Sequence, residues 1–378
     1  MNSSKAQMSI NHRYKLILLV GLVLSACSPA TQKAVSISSP SAPITPQPSS
    51  TATNSLVSTQ TLTATVAPTV MISPTVTPAH PLSVEYLKQQ SYSGKLIIEE
   101  ELGQKDSYYR YIVSYQSDGY KNYALLTVPI SDAPETGWPV IVFNHGYIPP
   151  KVYSTTQGYE AYMHAFADNG YIVLRPDYRG HGKSEGEPRN TYFHQGNTMD
   201  VLNAVAAVKK WETADPNRIG MWGHSMGGWI SLRAMIIDPS IRVGVIWGGV
   251  LGSYDDLCVH WFNCKNWDAE TWSFWSETPF AEYGLPEENK AFWAAASVDT
   301  YLSELKGVVQ LHHATTDTVV PVALSQVMYE KMIAEGIMVE IYEYPGDDHN
   351  ISQNFELAIT RTLDFFDIHL KSTGSGGR

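Results

Sequence analysis

The chain has 378 residues, with 26 Lys and Arg against 37 Asp and Glu, a formal charge of −11 at pH 7. That balance, with no basic block, argues against a nucleic-acid partner and against a polybasic membrane patch. Cysteine is scarce: Cys27, Cys258 and Cys264 are the only three.

Residues 1–27 read as a leader and not as part of the fold. Lys5, His12, Arg13 and Lys15 make a positive region ahead of the apolar run Leu16 to Ala26, which is too short to span a bilayer as a helix. The run ends in LSAC, Leu24 to Cys27, which resembles a bacterial lipobox. The resemblance implies cleavage before Cys27 and lipidation of its thiol, hence an extracytoplasmic protein anchored to the membrane through acyl chains. An ordinary signal peptide with an incidental Cys is the alternative and gives the same compartment.

Residues 28–83 are Ser, Thr, Pro and Ala with scattered Val and Ile, and Lys33 is their only Lys, Arg, Asp or Glu. Such a segment has no periodicity and cannot bury a core, so it reads as a disordered tether. Residues 84–373, about 290 positions, suffice for one sizeable domain. Lys95 to Glu101, Tyr108 to Tyr115 and Tyr120 to Pro129 predict an antiparallel entry to a sheet. Short apolar runs then alternate with helical periods. Val140–Phe143, Tyr171–Leu174, Ile219–Trp222, Val243–Trp247, Val308–Leu311 and Val339–Tyr342 predict buried strands. Tyr159, Met163 and Phe166 mark one helix, closed by Asn169 and Gly170. Val201, Val205 and Val208 mark another, starting near Asp200. Strand–helix alternation predicts an α/β fold: a mostly parallel sheet covered on both faces, with chemistry at the carboxyl ends of the strands.

Residues 251–300 break the alternation. They hold Trp261, Trp267, Trp272, Trp275 and Trp293, five of the ten tryptophans, with Cys258 and Cys264. This is too long for an ordinary loop. It reads either as an inserted helical cap over the site or as a satellite hydrophobic cluster with no substrate contact. With Cys27 lipidated, Cys258 and Cys264 are two thiols six positions apart in an oxidising compartment, and a local disulfide is expected. His260 alone does not make them a metal site.

The stretch RIGMWGHSMGGW, Arg218 to Trp229, frames Ser225 with Gly223, Gly227 and Gly228 directly after an apolar run. Ile230, Ala234 and Ile237 follow at helical spacing. A G-x-S-x-G pattern between a strand and a helix is a nucleophile elbow, a sharp turn that projects the hydroxyl into a cleft. A serine needs a base and a group to orient that base. Asp317 follows the strand at Val308, and His349 follows the strand at Val339. The order Ser225, Asp317, His349 is that of α/β-hydrolases. Asp347 and Asp348 adjoin His349 and read as turn and solvent-facing residues. His312 and His313 read as packing beside Asp317. The oxyanion donors expected are the Met226 N–H, after the nucleophile, and the Tyr147 N–H, in the loop after Val140–Phe143. Gly146 allows close approach there, and His145 braces the loop. Arg179, His181 and Ser184, in the glycine-rich run Asp177 to Gly186, read as structural.

Residues 92 to 370 resemble the α/β-hydrolase superfamily, and more narrowly the catalytic domain of prolyl-oligopeptidase-type serine hydrolases, peptidase family S9. The carrying motifs are NHGY at Asn144, DYRGHGKS at Asp177, DPNRIGMWGHSMGG at Asp215, HHATTDTVVP at His312 and YPGDDHN at Tyr344. The resemblance implies a serine hydrolase of peptide bonds, requiring no cofactor and no metal, with a small-molecule or peptide substrate. Those peptidases often carry a β-propeller that filters peptides, where this chain has a Ser/Thr/Pro segment. Simple acyl or aryl esters therefore stay open as substrates. A binding lipoprotein on a hydrolase fold is the reading from another class.

Overall fold

The computed structural model describes residues 79–266 and 278–372. The leader, Cys27, the segment up to residue 78, and Trp267, Trp272 and Trp275 lie outside the described residues. Nine strands make one sheet: β1 (Ile97–Lys105), β2 (Tyr108–Ser117), β3 (Tyr120–Pro129), β4 (Trp138–Asn144), β5 (Ile172–Pro176), β6 (Ala214–His224), β7 (Ile241–Trp247), β8 (Val308–Ala314) and β9 (Val339–Tyr344). Their spatial order is β1-β2-β3-β5-β4-β6-β7-β8-β9. The pairs from β1 to β3, and β3 with β5, are antiparallel, and the remaining pairs are parallel. This is the α/β-hydrolase arrangement that the alternation and motif order imply.

The apolar runs are continuous and not alternating because the central strands are covered on both faces. Helices α3 (Gly196–Val208) and α4 (Met226–Ile237) pack one face, with Val201, Val205, Ile230 and Ala234 in a core shared with Val140 and Ile219. Helix α2 (Glu160–Asp168) and the helix Phe355–Phe366 cover the other, with Phe166 and Phe366 against Trp222 and Ile141.

Three boundaries differ from expectation. β1 runs on to Lys105 and begins later than Lys95, because it is an exposed edge strand with two register irregularities, and Gln104 and Lys105 pair without an apolar signal. Helix α3 starts at Gly196, a turn before Asp200. Asp200 is no cap: its buried carboxylate takes Arg179, Ser117 and Asn122 from inside the helix. Finally, the end of the compositional tether is folded. Leu82 is buried, its carbonyl accepts a 2.8 Å bond from buried Arg233, and the Ser83 hydroxyl caps helix α1 (Val84–Gln89).

Tyr254, Phe280 and Trp293 form a buried aromatic cluster, with ring centroids 4.5 Å (Tyr254–Trp293) and 4.8 Å (Phe280–Trp293) apart. Cys258 and Cys264 are joined in a disulfide. Trp261, inside that small loop, instead reaches out: its indole N–H donates to the Val319 carbonyl at 3.0 Å, two residues from Asp317.

Candidate active site

The parallel strands end in a row, and their carboxyl ends carry the chemistry. β4 leads to Gly146 and Tyr147, β6 to Ser225, β8 to Asp317 and β9 to His349. Ser225 has φ 54° and ψ −120°, a conformation costly for any residue but glycine. The neighbouring backbone holds it there. Its N–H donates to Trp247 O at 3.0 Å, and its carbonyl accepts from Val250 N at 3.1 Å. A Cβ at Gly227 would lie 1.9 Å from Asn144 O, and one at Gly146 would lie 3.2 Å from the Ser225 Cβ. The glycines let the nucleophile turn and the β4 loop press together. Met226 is the first residue of α4, so its N–H has no partner within the helix.

Asp317 Oδ2 lies 2.6 Å from His349 Nδ1. The carboxylate side chain is fully buried and the imidazole 14% exposed, so the acid sits behind the base. A carboxylate only accepts, so Nδ1 carries the ring proton and Nε2 keeps its lone pair. Asp317 Oδ1 takes the Val319 and Val320 N–H groups at 2.8 and 2.9 Å. Burial alone would raise its pKa. Hydrogen bonds from His313 and His349 outweigh that and hold the carboxyl well below the usual range. Ser225 and His349 flank one turn: Ser225 is tied to Trp247, and a Cβ on the next residue, Gly248, would lie 3.1 Å from His349 Nδ1.

The other candidates separate cleanly. Asp347 is buried, against the expectation that it faces solvent. It accepts from the N–H groups of Asp348, Gln353 and Asn354 and so shapes the loop that presents His349. Asp348 caps the same loop through Asn350 and Ser352. His312 points away from the acid, bonded to Tyr344 and Gln310. His145 is buried and stacked against Tyr153 and Tyr178, with centroids 4.8 and 4.3 Å away. Arg179 bonds Asp200, the Ser184 hydroxyl accepts from Tyr123 N, and His181 is buried. Tyr147 is 68% exposed.

His313 packs beside Asp317 as expected, with Nε2 3.2 Å from Asp317 Oδ2 and donating to Val320 O, while its Nδ1 pairs with the Ser325 hydroxyl. One feature has no signal in the sequence. His224, the variable position of the elbow motif, lies against His349 with ring centroids 4.7 Å apart, and Tyr159 bonds it. Nothing local in the sequence marks that contact, which spans 125 residues to His349.

The model of the Prolyl oligopeptidase family matches residues 157–373, which include Ser225, Asp317 and His349. The chain belongs to the prolyl oligopeptidase family. As a member, it carries the machinery of a serine hydrolase. Among curated proteins it is similar to the quorum-quenching protein AidA of Acinetobacter baumannii (strain MDR-ZJ06), with 34% identity over 116 residues, 31% of this chain and 36% of that protein. It is also similar to a probable dipeptidyl-aminopeptidase B of Penicillium rubens, with 22% identity over 240 residues, 62% of this chain and 25% of that one. The chain thus spans about a third or less of the length of the curated relatives it matches. Acetyl xylan esterase 1 from a Thermoanaerobacterium species shares the fold with a TM-score of 0.57 and 19% identity, over 76% of this chain and 95% of that one. The acylaminoacyl peptidase of Pyrococcus horikoshii shares it with a TM-score of 0.56 and 21% identity, over 73% and 44% respectively.

Proposed function

We propose that this member of the family is an extracytoplasmic, lipid-anchored hydrolase of peptide or ester bonds. The observation that carries the catalytic part is the Asp317–His349 pair at 2.6 Å beside a strained Ser225. Ser225 Oγ attacks the substrate carbonyl, and His349 Nε2 takes its proton. Asp317 fixes the imidazole tautomer and stabilises the imidazolium. The Met226 and Tyr147 N–H groups hold the oxyanion. Collapse transfers the proton from His349 to the leaving group, and water then releases the acyl-enzyme by the same route.

The peptide reading and the ester reading both follow from the same acyl-transfer chemistry. Acyl p-nitrophenyl esters measured against aminoacyl p-nitroanilides decide between them. Ester turnover alone supports the esterase, and anilide turnover supports the peptidase. Failure of both, with Ser225 unlabelled by a fluorophosphonate, returns the chain to the class of binding lipoproteins and sinks the proposal.

The location rests on LSAC at Leu24 to Cys27. Cys27→Ser should move the protein out of the membrane fraction, since residues 28–78 contain no apolar run of spanning length. A variant that still sediments with membranes after a salt wash would require a different anchor.

A further inference from the structure

A single directed chain of hydrogen bonds joins three of the site's loops. The Gly146 N–H donates to the Tyr159 hydroxyl at 3.0 Å. That hydroxyl lies 2.7 Å from His224 Nδ1. On the other side of the ring, His224 Nε2 lies 3.1 Å from the carbonyl oxygen of His349. The directions follow from chemistry. A carbonyl only accepts, so Nε2 carries the proton of the neutral ring. Nδ1 is then a lone pair and accepts from the Tyr159 O–H. The phenol oxygen in turn accepts from Gly146. Burial, reinforced by repulsion from His349, pushes the His224 pKa down to about 3, so the ring stays neutral near pH 7.

The backbone gives an independent sign that this arrangement is held on purpose. Tyr159 has φ 61° and ψ 19°, left-handed geometry that is rare for a bulky side chain. Such strain persists only where the surroundings over-determine it. The Tyr159 ring packs against Phe143 at 5.4 Å and Trp222 at 6.1 Å, and a Cβ at Gly146 would come within 2.8 Å of its hydroxyl.

We propose that Tyr159 and His224 are positioning residues, which lock the oxyanion-side loop and the base loop in one register around Ser225. Gly146 precedes Tyr147, His224 precedes Ser225, and the accepting carbonyl belongs to the base itself. The bond to Gly146 also spends that amide, leaving Tyr147 N–H as the donor from this loop. Both side chains engage their polar atoms within the relay, so their loss should act on the transition state and leave ground-state binding alone. This rests on the serine-hydrolase reading.

The test compares Tyr159→Phe, His224→Leu, His224→Gln and the Tyr159→Phe/His224→Leu double variant, each checked by thermal melting. Tyr159→Phe and His224→Leu should each lower kcat roughly 10- to 100-fold, the scale of an unpaired buried polar group, with KM unchanged within about twofold. The double variant should be no worse than the weaker single one, because the chain works as a unit. His224→Gln, which keeps an N–H for the His349 carbonyl, should recover most of what Leu loses. Wild-type kcat in Tyr159→Phe, or two losses that multiply in the double variant, would overturn the proposal. If His224→Leu does not fold, Tyr159→Phe, which removes one oxygen, still decides. Imidazole ¹⁵N spectra of the unmodified protein give a readout free of turnover: His224 should be the Nε2–H tautomer, and an Nδ1–H ring ends the relay. A wild-type protein with that tautomer and no acyl hydrolysis would fail the hydrolase reading and leave the relay standing.

Discussion

Ser225→Ala should abolish turnover and leave the fold intact. Triad members that act as a unit are worth ~10⁴–10⁶ in kcat. The turn does not depend on the hydroxyl, which makes no bond that shapes it among the described residues. Backbone bonds to Trp247 and Val250, and the close approach at Gly227, set the elbow. Relief of the left-handed strain is not available to Ala either, so stability should change little. Kcat on an activated ester, the melting temperature and fluorophosphonate labelling measure this together. A folded Ser225→Ala protein with near-wild-type activity would remove Ser225 as the nucleophile.

That residue was legible in the sequence because its constraints are local. A tight turn between a strand and a helix needs small residues within a few positions of one another, and glycine spacing records this. The sheet was legible for a related reason: strands covered on both faces must be apolar throughout. The edge strand β1 and the start of α3 were not, since exposure removes the apolar signal from one and Asp200 serves a tertiary ion pair in the other. Asp347 misled because burial and loop capping leave no trace in spacing. The Tyr159–His224 contact lies deeper still, as it joins residues whose partners are set only once the sheet is assembled.

Acid should destabilise the domain steeply. Burial pushes the imidazoles of His145, His224 and His312 down to about 3 each. In the unfolded chain each titrates near its ordinary ~6.5. Their folded pKa values are depressed, so between ~6.5 and ~3 the unfolded state binds protons that the native state refuses. Stability is therefore full above ~6.5 and falls as pH drops. Each ring contributes about 1.4 kcal/mol per pH unit. Asp177 opposes one of them: burial raises its carboxyl to about 6 despite hydrogen bonds from Thr155 and Tyr153, so it gains stability as pH falls. The net loss is about 3 kcal/mol per pH unit between pH 6 and 4. Against an ordinary stability of about 5–15 kcal/mol, a loss of about 6 kcal/mol leaves between none and about half of the margin at pH 4. Melting temperature recorded from pH 7 to 4 checks the slope. His312→Gln, remote from Ser225, should make it shallower by one ring's share. A melting temperature that does not move over this range would mean that these imidazoles take up protons in the folded state.

The bond from Trp261 to the Val319 carbonyl bears on how this enzyme can diversify. Lids over hydrolase clefts are convenient targets for change because a segment that touches only substrate can vary without cost to the chemistry. Here the disulfide-closed turn around Trp261 grips the strand-end segment whose amides hold Asp317. Substitutions in the turn around Trp261 would be felt by the acid, and those that retune the acid loop would shift that turn, so the two segments would have to change in pairs.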